Sequence, residues 1–222
     1  MSWEAELAAL RARFDVVDTA VRCGPRTFTL AHPRQADALI DEADFERDER
    51  LPYWADLWPS ARVLAEHVVR HAGNGRRALE LGCGSGLVAC ALAAAGYQVT
   101  ATDYYDDALA FTRVNVARNT GRGARVRLVD WRALPRDLGR YDVVVASDVL
   151  YEPAHADLVA DAVLATVADD GYALVADPGR LSLAGFLAAT EEAGMAVVEH
   201  WTAPFEEDAQ RHVIQLHALR IR

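Results

Sequence analysis

The chain has 222 residues, 52% of them hydrophobic, and a formal net charge of −10 at pH 7, with a pI near 5.1. That length and apolar fraction suit one large core, while the acidic balance disfavours a nucleic-acid backbone as partner and suits a small molecule or a basic protein segment. No apolar run approaches the ~20 residues of a membrane span; Met-Ser-Trp-Glu-Ala-Glu does not read as a signal peptide; and the odd, unpatterned Cys23, Cys83 and Cys90 predict a reducing, cytoplasmic setting without a disulfide frame or metal site.

In chain order, residues 3–13 carry apolar positions at helical spacing and predict a short helix. Phe14 to Val21 and Arg26 to Leu30 flank Arg22-Cys23-Gly24-Pro25, which predicts a hairpin turned by Gly-Pro. Residues 31–52 are polar and acidic and read as a surface connection, with a helix expected at Gln35–Ala43. Tyr53, Trp54 and Trp58 then stand between Pro52 and Pro59. They fit the core and a ligand wall about equally well, and Pro59 suits the first turn of a helix running to His71.

From Arg77 strands and helices alternate: strand 77–81, helix 87–95, strand 98–103, helix 106–119, strand 126–131, an irregular piece at Pro135, strand 141–147, helix 154–168, strand 171–177 and helix 182–194. Alternation of this kind gives a mostly parallel sheet covered by helices on both faces. Ala196–Ala203 and His212–Arg220, joined by an acidic loop from Pro204 to Ala209, predict a terminal antiparallel hairpin. The reading is an α/β, Rossmann-like sheet of seven strands with a C-terminal hairpin (51–222), preceded by a helix-and-hairpin extension (1–50). Seven strands with an antiparallel one at the end suit a class I methyltransferase better than a six-strand dehydrogenase.

The stretch from Leu79 to Leu87, with Glu80 two residues before Gly82 and glycines again at 84 and 86, is a strand, a glycine turn and a helix start. The dinucleotide fingerprint is G-x-G-x-x-G; here the order is G-x-G-x-G, and Leu87 stands where the third glycine belongs. Asp103 ends the second strand roughly 20 residues on, where a carboxylate accepts from ribose hydroxyls. A ribose at one end and a cationic amino-acid group near Glu80 at the other describe S-adenosylmethionine better than NAD.

Ligands in such sheets lie outside the carboxyl ends of the strands. Those ends carry Glu80 with Gly82, Cys83, Gly84 and Gly86; Asp103 and Tyr104; Asp130 and Trp131; Ser147, Asp148 and Tyr151; and Asp177-Pro178-Gly179-Arg180. Asp130 suits the adenine amino group, Trp131 one face of the base and Trp58 the other side. Asp148 and Tyr151 fall nearest the transferred methyl, to orient an amine and to face a cation. Ordinary packing explains Tyr151 as well as function does, and a helix cap is the competing role for Asp148; Asp177–Arg180 reads as a plain turn or as one that offers Arg180 to an acidic group on a substrate. His155 is expected on the surface.

Pro52 to Ser60, Glu80 to Leu87, Val129-Asp130-Trp131 and Ser147-Asp148-Val149-Leu150-Tyr151 together resemble the seven-strand protein-lysine methyltransferases, which carry a D-x-x-Y motif after the fourth strand. The resemblance covers about residues 50–180, and Asp177–Arg180 is most similar to the enzymes that methylate the electron transfer flavoprotein β-subunit. It implies Trp58, Gly82, Gly84, Asp103, Trp131 and Ser147 around the cofactor, Asp148 and Tyr151 at the lysine, and a protein substrate. The alternatives are a small-molecule N- or O-methyltransferase on the same scaffold and a cofactor-binding protein without activity. All 23 cationic side chains are arginine, so a lysine methyltransferase of this sequence cannot modify its own side chains.

Overall fold

The computed structural model describes residues 2–39, 51–207 and 210–222. Helix α1 (Trp3–Arg13) leads into a two-stranded antiparallel ribbon, β1 (Val16–Cys23) and β2 (Arg26–Pro33). After a 3-10 turn at Tyr53–Ala55 come α2 (Pro59–Val68), β3 (Arg77–Leu81), α3 (Leu87–Ala94), β4 (Gln98–Asp103), α4 (Asp106–Thr120) and β5 (Arg125–Leu128). The chain then runs through β6 (Tyr141–Ser147), α5 (His155–Thr166), β7 (Val167–Asp177), α6 (Ser182–Glu192), β8 (Met195–Glu207) and β9 (Gln210–Ile221).

The main sheet has the order β5-β4-β3-β6-β7-β9-β8. β3 pairs in parallel with β4 on one side and with β6 on the other. That central position of β3 makes its carboxyl end the point where the winding reverses. β9 runs antiparallel between β7 and β8, so the expected terminal hairpin forms.

Strand period sorts the core. Val143, Val145, Leu174 and Ala176 face a layer with α2, α3 and the ribbon residues Val21, Cys23, Phe28 and Leu30. Their neighbours Val144, Ala146, Ala173 and Val175 face α5 and α6 through Val159, Val163 and Phe186. Covering both faces is why these strands read as continuous apolar runs.

Several boundaries moved, each for a local reason. β2 extends to Pro33 because Asn115 of α4, fully buried, accepts from the Ala31 N–H and donates to the Ala31 carbonyl, both at 2.8 Å. Of the helix expected at Gln35–Ala43, a 3-10 turn spans Asp37–Leu39, and residues 40–43 lie outside the described residues. β5 ends at Leu128 because Asp130 caps a 3-10 turn, Trp131–Ala133. Strand β8 runs through the expected acidic loop as far as Glu207.

Asn115 also donates to the Ser85 carbonyl at 2.8 Å, so one amide ties the ribbon, α4 and the glycine loop together. Asn115→Ala strands buried backbone groups at two of these partners and is expected to cost about 2–3 kcal/mol, read as a lower urea midpoint at unchanged slope; a loss below ~0.5 kcal/mol would show that the clamp is redundant.

Candidate active site

A cleft of about 850 Å³ opens over the carboxyl ends of the central strands. Trp58, Glu80, Gly82, Cys83, Gly84, Gly86, Asp103, Tyr104, Asp130, Trp131, Ser147, Asp148 and Tyr151 all line it, together with Tyr53, His155 and Arg180.

The loop after β3 passes Gly82 and Gly86 at φ 69° and 87°, a region that costs glycine nothing. A Cβ on Gly82 would stand 2.8 Å from Val149 Cγ1, and one on Gly86 would stand 2.7 Å from Thr112 Oγ1. The missing side chains therefore let the loop close on β6 and α4, leaving bare backbone as the cleft floor. Asp103 secures it: Oδ2 accepts from the Gly84 N–H at 2.9 Å and Oδ1 from the Tyr105 N–H at 3.1 Å. Thr112 Oγ1 donates to the Gly84 carbonyl at 2.9 Å and lies 3.3 Å from Cys83 Sγ. Burial pushes the Cys83 thiol well up, which keeps it inert.

Glu80 is 2% exposed, and its Oε2 has no hydrogen-bond partner among the described residues. Burial first, and the nearby Asp103 second, push its carboxyl well above the usual range; the Ala89 amide offsets part of this. An unpaired buried carboxyl is costly unless something binds it. Placed on a glycine floor beside Asp103, it fits a ligand that carries a cationic amino-acid group.

On the neighbouring strand end the cleft is built on Asp148, a non-glycine residue at φ 57°. Such a backbone costs on the order of 1–3 kcal/mol and persists where the surroundings over-determine it. The Asp148 N–H donates to the Ala176 carbonyl at 3.0 Å. Its carboxylate takes Arg180 Nε on Oδ1 at 2.6 Å, Arg180 Nη2 on the same oxygen at 2.6 Å, and Ser60 Oγ on Oδ2 at 3.0 Å. Helix α5 is capped by Ala154, so Asp148 is not its cap. Arg180 in turn lies over Trp58 at 5.7 Å, and Trp58 Nε1 donates to the Tyr53 carbonyl at 2.8 Å. Tyr53 meets Tyr151 edge to face at 5.1 Å, and Tyr151 stays 39% exposed at the rim.

The aromatic segment thus divides. Trp54 borders the cleft but buries its ring against Phe14 and Phe111, while Tyr53 and Trp58 pack at the Asp148 side of the cleft. Trp58 stands at the Asp148 end, held by Tyr53 and Arg180, whereas Trp131 packs beside Gly82 and against His155 at 5.4 Å. Asp130 is already engaged by the Arg132 guanidinium at 2.8 Å, and Arg132 Nη2 also donates to the Tyr104 hydroxyl at 3.4 Å. His155 corrects the surface expectation: it is 5% exposed, because the turn into α5 folds its ring under Trp131 and Tyr151, with Nδ1 donating to the Val149 carbonyl at 2.8 Å.

The sequence reading gave no role to Ser60 or to Thr112. Their signal was polarity in apolar places: Ser60 is fully buried in the first turn of α2, and Thr112 and Asn115 lie three apart on the buried face of α4.

The model of a family described as lysine methyltransferase matches residues 44–180. The chain is 30% identical over 186 residues to an electron transfer flavoprotein β-subunit lysine methyltransferase of Xenopus laevis, covering 73% of each chain. It is 32% identical over 112 residues to the protein-lysine methyltransferase METTL21E of Mus musculus, covering 45% of this chain and 46% of that one. Among solved structures, the N-methyltransferase NodS of Bradyrhizobium japonicum WM9, solved with S-adenosyl-L-homocysteine, superposes with a TM-score of 0.59 at 15% identity, covering 79% of this chain and 96% of that one.

The isolation of Glu80 has a stability consequence. Native Glu80 keeps its proton to higher pH than the unfolded chain does, so its contribution is lost as pH rises from about 4.3 towards the raised value. Glu80→Gln is expected to match the wild type near pH 4 and to gain on it above that, by up to about 1.4 kcal/mol per pH unit within the window. Urea unfolding from pH 4 to 8 reads the difference; parallel curves would refute the desolvated carboxyl.

Proposed function

The chain belongs to the lysine methyltransferase family, and from that premise we propose that it moves a methyl group from S-adenosylmethionine to lysine side chains of a protein substrate, with the electron transfer flavoprotein β-subunit as the first candidate. The observation that carries this reading is one cleft with two unlike carboxylate ends: Glu80 with Asp103 over a glycine floor, and Asp148 with Tyr151 at an aromatic mouth.

When bound, S-adenosylmethionine supplies an electrophilic methyl on a sulfonium. In this reading Glu80 and the amides of the Gly82–Gly86 loop hold its amino-acid group, and Asp103 takes the ribose hydroxyls. Trp131, Asp130, Tyr104, Cys83 and Ser147 enclose the base. With both Arg180 donors on Oδ1 and Ser60 on Oδ2, Asp148 keeps one open lone-pair direction, on Oδ2, enough to accept an N–H of the acceptor amine and aim its lone pair inward. Tyr151 and Tyr53 flank the aliphatic stem of the lysine, and their faces favour the positive charge that develops on nitrogen as the N–C bond forms. Trp58 closes the side of the channel and keeps water from the nucleophile. The residues thus contribute position and desolvation rather than a strong base.

The substrate proposal rests on the likeness to the flavoprotein-subunit enzymes, whose match reaches beyond the central motifs to most of the chain. We place the reaction in the cytoplasm, where three free, buried cysteines stay reduced. No helix among the described residues is long and apolar enough to cross a membrane.

The test is methyl-labelled S-adenosylmethionine added with the purified protein to a cell lysate, followed by separation of protein from small molecules and mass spectrometry. Label on protein lysines is expected, and none on the enzyme's own side chains, which include no lysine. Label confined to small molecules supports the small-molecule alternative, and tight cofactor binding without any transfer supports a binding protein.

Asp103→Ala is expected to weaken S-adenosylmethionine by roughly 1–3 kcal/mol, the scale of a lost charge-assisted hydrogen bond, measured by calorimetry. Unchanged affinity would remove Asp103 from the ribose.

A further inference from the structure

Asp148 presents a problem for amine methylation. A lysine ammonium has no lone pair, so only the free amine can attack, and the lysine side chain ordinarily holds its proton up to about pH 10.4. An uncompensated carboxylate in a desolvated pocket would stabilise the wrong form, the ammonium. The structure supplies a counter-charge at that spot. Arg180 Nε and Nη2 both reach Asp148 Oδ1 at 2.6 Å, with the Asp148 side chain 2% and the Arg180 side chain 31% exposed. Among the described residues that line the cleft, Arg180 is the only arginine, and the chain has no lysine.

Arg180 is held there from behind. Asp177, fully buried at the end of β7, accepts the Gly179 and Arg180 N–H groups on Oδ1 at 2.7 Å each. Its Oδ2 has no hydrogen-bond partner among the described residues, and burial pushes this carboxyl upward, towards its neutral form. The guanidinium over Trp58 at 5.7 Å gains a second support. The arrangement leaves the Arg180 charge matched to Asp148.

We propose that Arg180 makes the acceptor end of the cleft a receptor for the neutral amine of lysine rather than for its ammonium, by cancelling the charge of Asp148. The inference rests on the methyltransferase reading above and deepens it: Arg180 is a positioning residue that acts through Asp148. The neutralised carboxylate accepts one amine N–H. The nitrogen lone pair then forms the N–C bond as the C–S pair returns to sulfur, and the excess proton on nitrogen leaves to solvent.

The other titratable groups around this corner leave that balance to Arg180. Helix α2 brings the Ser60 hydroxyl, and the aromatic segment brings the Tyr53 phenol and, on the rim, Asp56. The turn into α5 brings Tyr151, with Glu152 3.5 Å from His155. Farther round, Asp103 is occupied by two amides and Asp130 by Arg132, and burial favours the neutral form of Glu80.

The experiment measures binding of n-butylamine, a lysine side-chain mimic, to the full chain loaded with S-adenosylhomocysteine, by tryptophan fluorescence from pH 7 to 9. If only the free amine binds, wild-type affinity rises about tenfold per pH unit, about 100-fold in all. Arg180→Gln keeps a donor for Asp148 but loses the charge, and its affinity is expected to change less than about threefold over that range. Arg180→Lys, which restores a cation, is expected to recover most of the wild-type slope. A flat or falling wild-type curve overturns the proposal without any variant, so failure of Arg180→Gln to fold leaves it testable. In turnover, Arg180→Gln should lower both kcat and KM at pH 7, with kcat recovering at higher pH; equal kcat losses at every pH overturn it. Labelled lysines in the lysate with a flat n-butylamine curve sink this inference alone, whereas absence of any labelled lysine sinks the methyltransferase reading itself.

Discussion

Four carboxyl groups stand desolvated along one edge of one sheet, and the rest of the site is arranged around what each is given in place of water. Glu80, Asp103, Asp148 and Asp177 end β3, β4, β6 and β7, all between 0 and 8% exposed. Asp103 receives backbone amides, Asp148 an arginine and a hydroxyl, and Asp177 the two amides of its own turn on one oxygen. Glu80 has one oxygen without a protein hydrogen bond among the described residues. Burying a charge is expensive unless it is paired, so this edge stores free energy that a ligand of the right charge can release. Fold stability and binding are coupled there through the same atoms.

The glycine loop illustrates that coupling. Its conformation is fixed by what lies behind it: Val149 against Gly82, Thr112 against Gly86 and the Asn115 amide on Ser85. Asn115 also grips Ala31, so the N-terminal ribbon is fastened to the loop that floors the cleft. Helix α1 completes that wall, with Leu7 and Leu10 packed in one cluster with Trp54 and Phe111. The ribbon and α1 therefore act as a buttress that holds the loop against α4.

Family membership and local geometry answer different questions. The match over residues 44–180 assigns the chemistry, and it spans every strand end that reaches the cleft. The acceptor corner is a separate matter of charge. A carboxylate, an arginine and three aromatic rings form one contact chain from Asp148 to Tyr151, in which the arginine offsets the carboxylate charge.

The sequence alone determined the strand and helix alternation, the terminal hairpin and the strand ends where the site lies, because those depend on period and spacing, which are local. The motif residues from Glu80 to Tyr151 were legible for the same reason: topology brings every strand's carboxyl end to one edge, so a residue's place in its strand fixes its place in the cleft. Only the tertiary structure decided who partners whom. Trp54 and Trp58 look alike in sequence and part ways in space; His155 is drawn inward by the turn before α5; Ser60 and Arg180, 88 and 32 residues from Asp148 in the chain, converge on its two oxygens. Pairing across the fold is set by packing and desolvation, and a linear pattern carries no record of either.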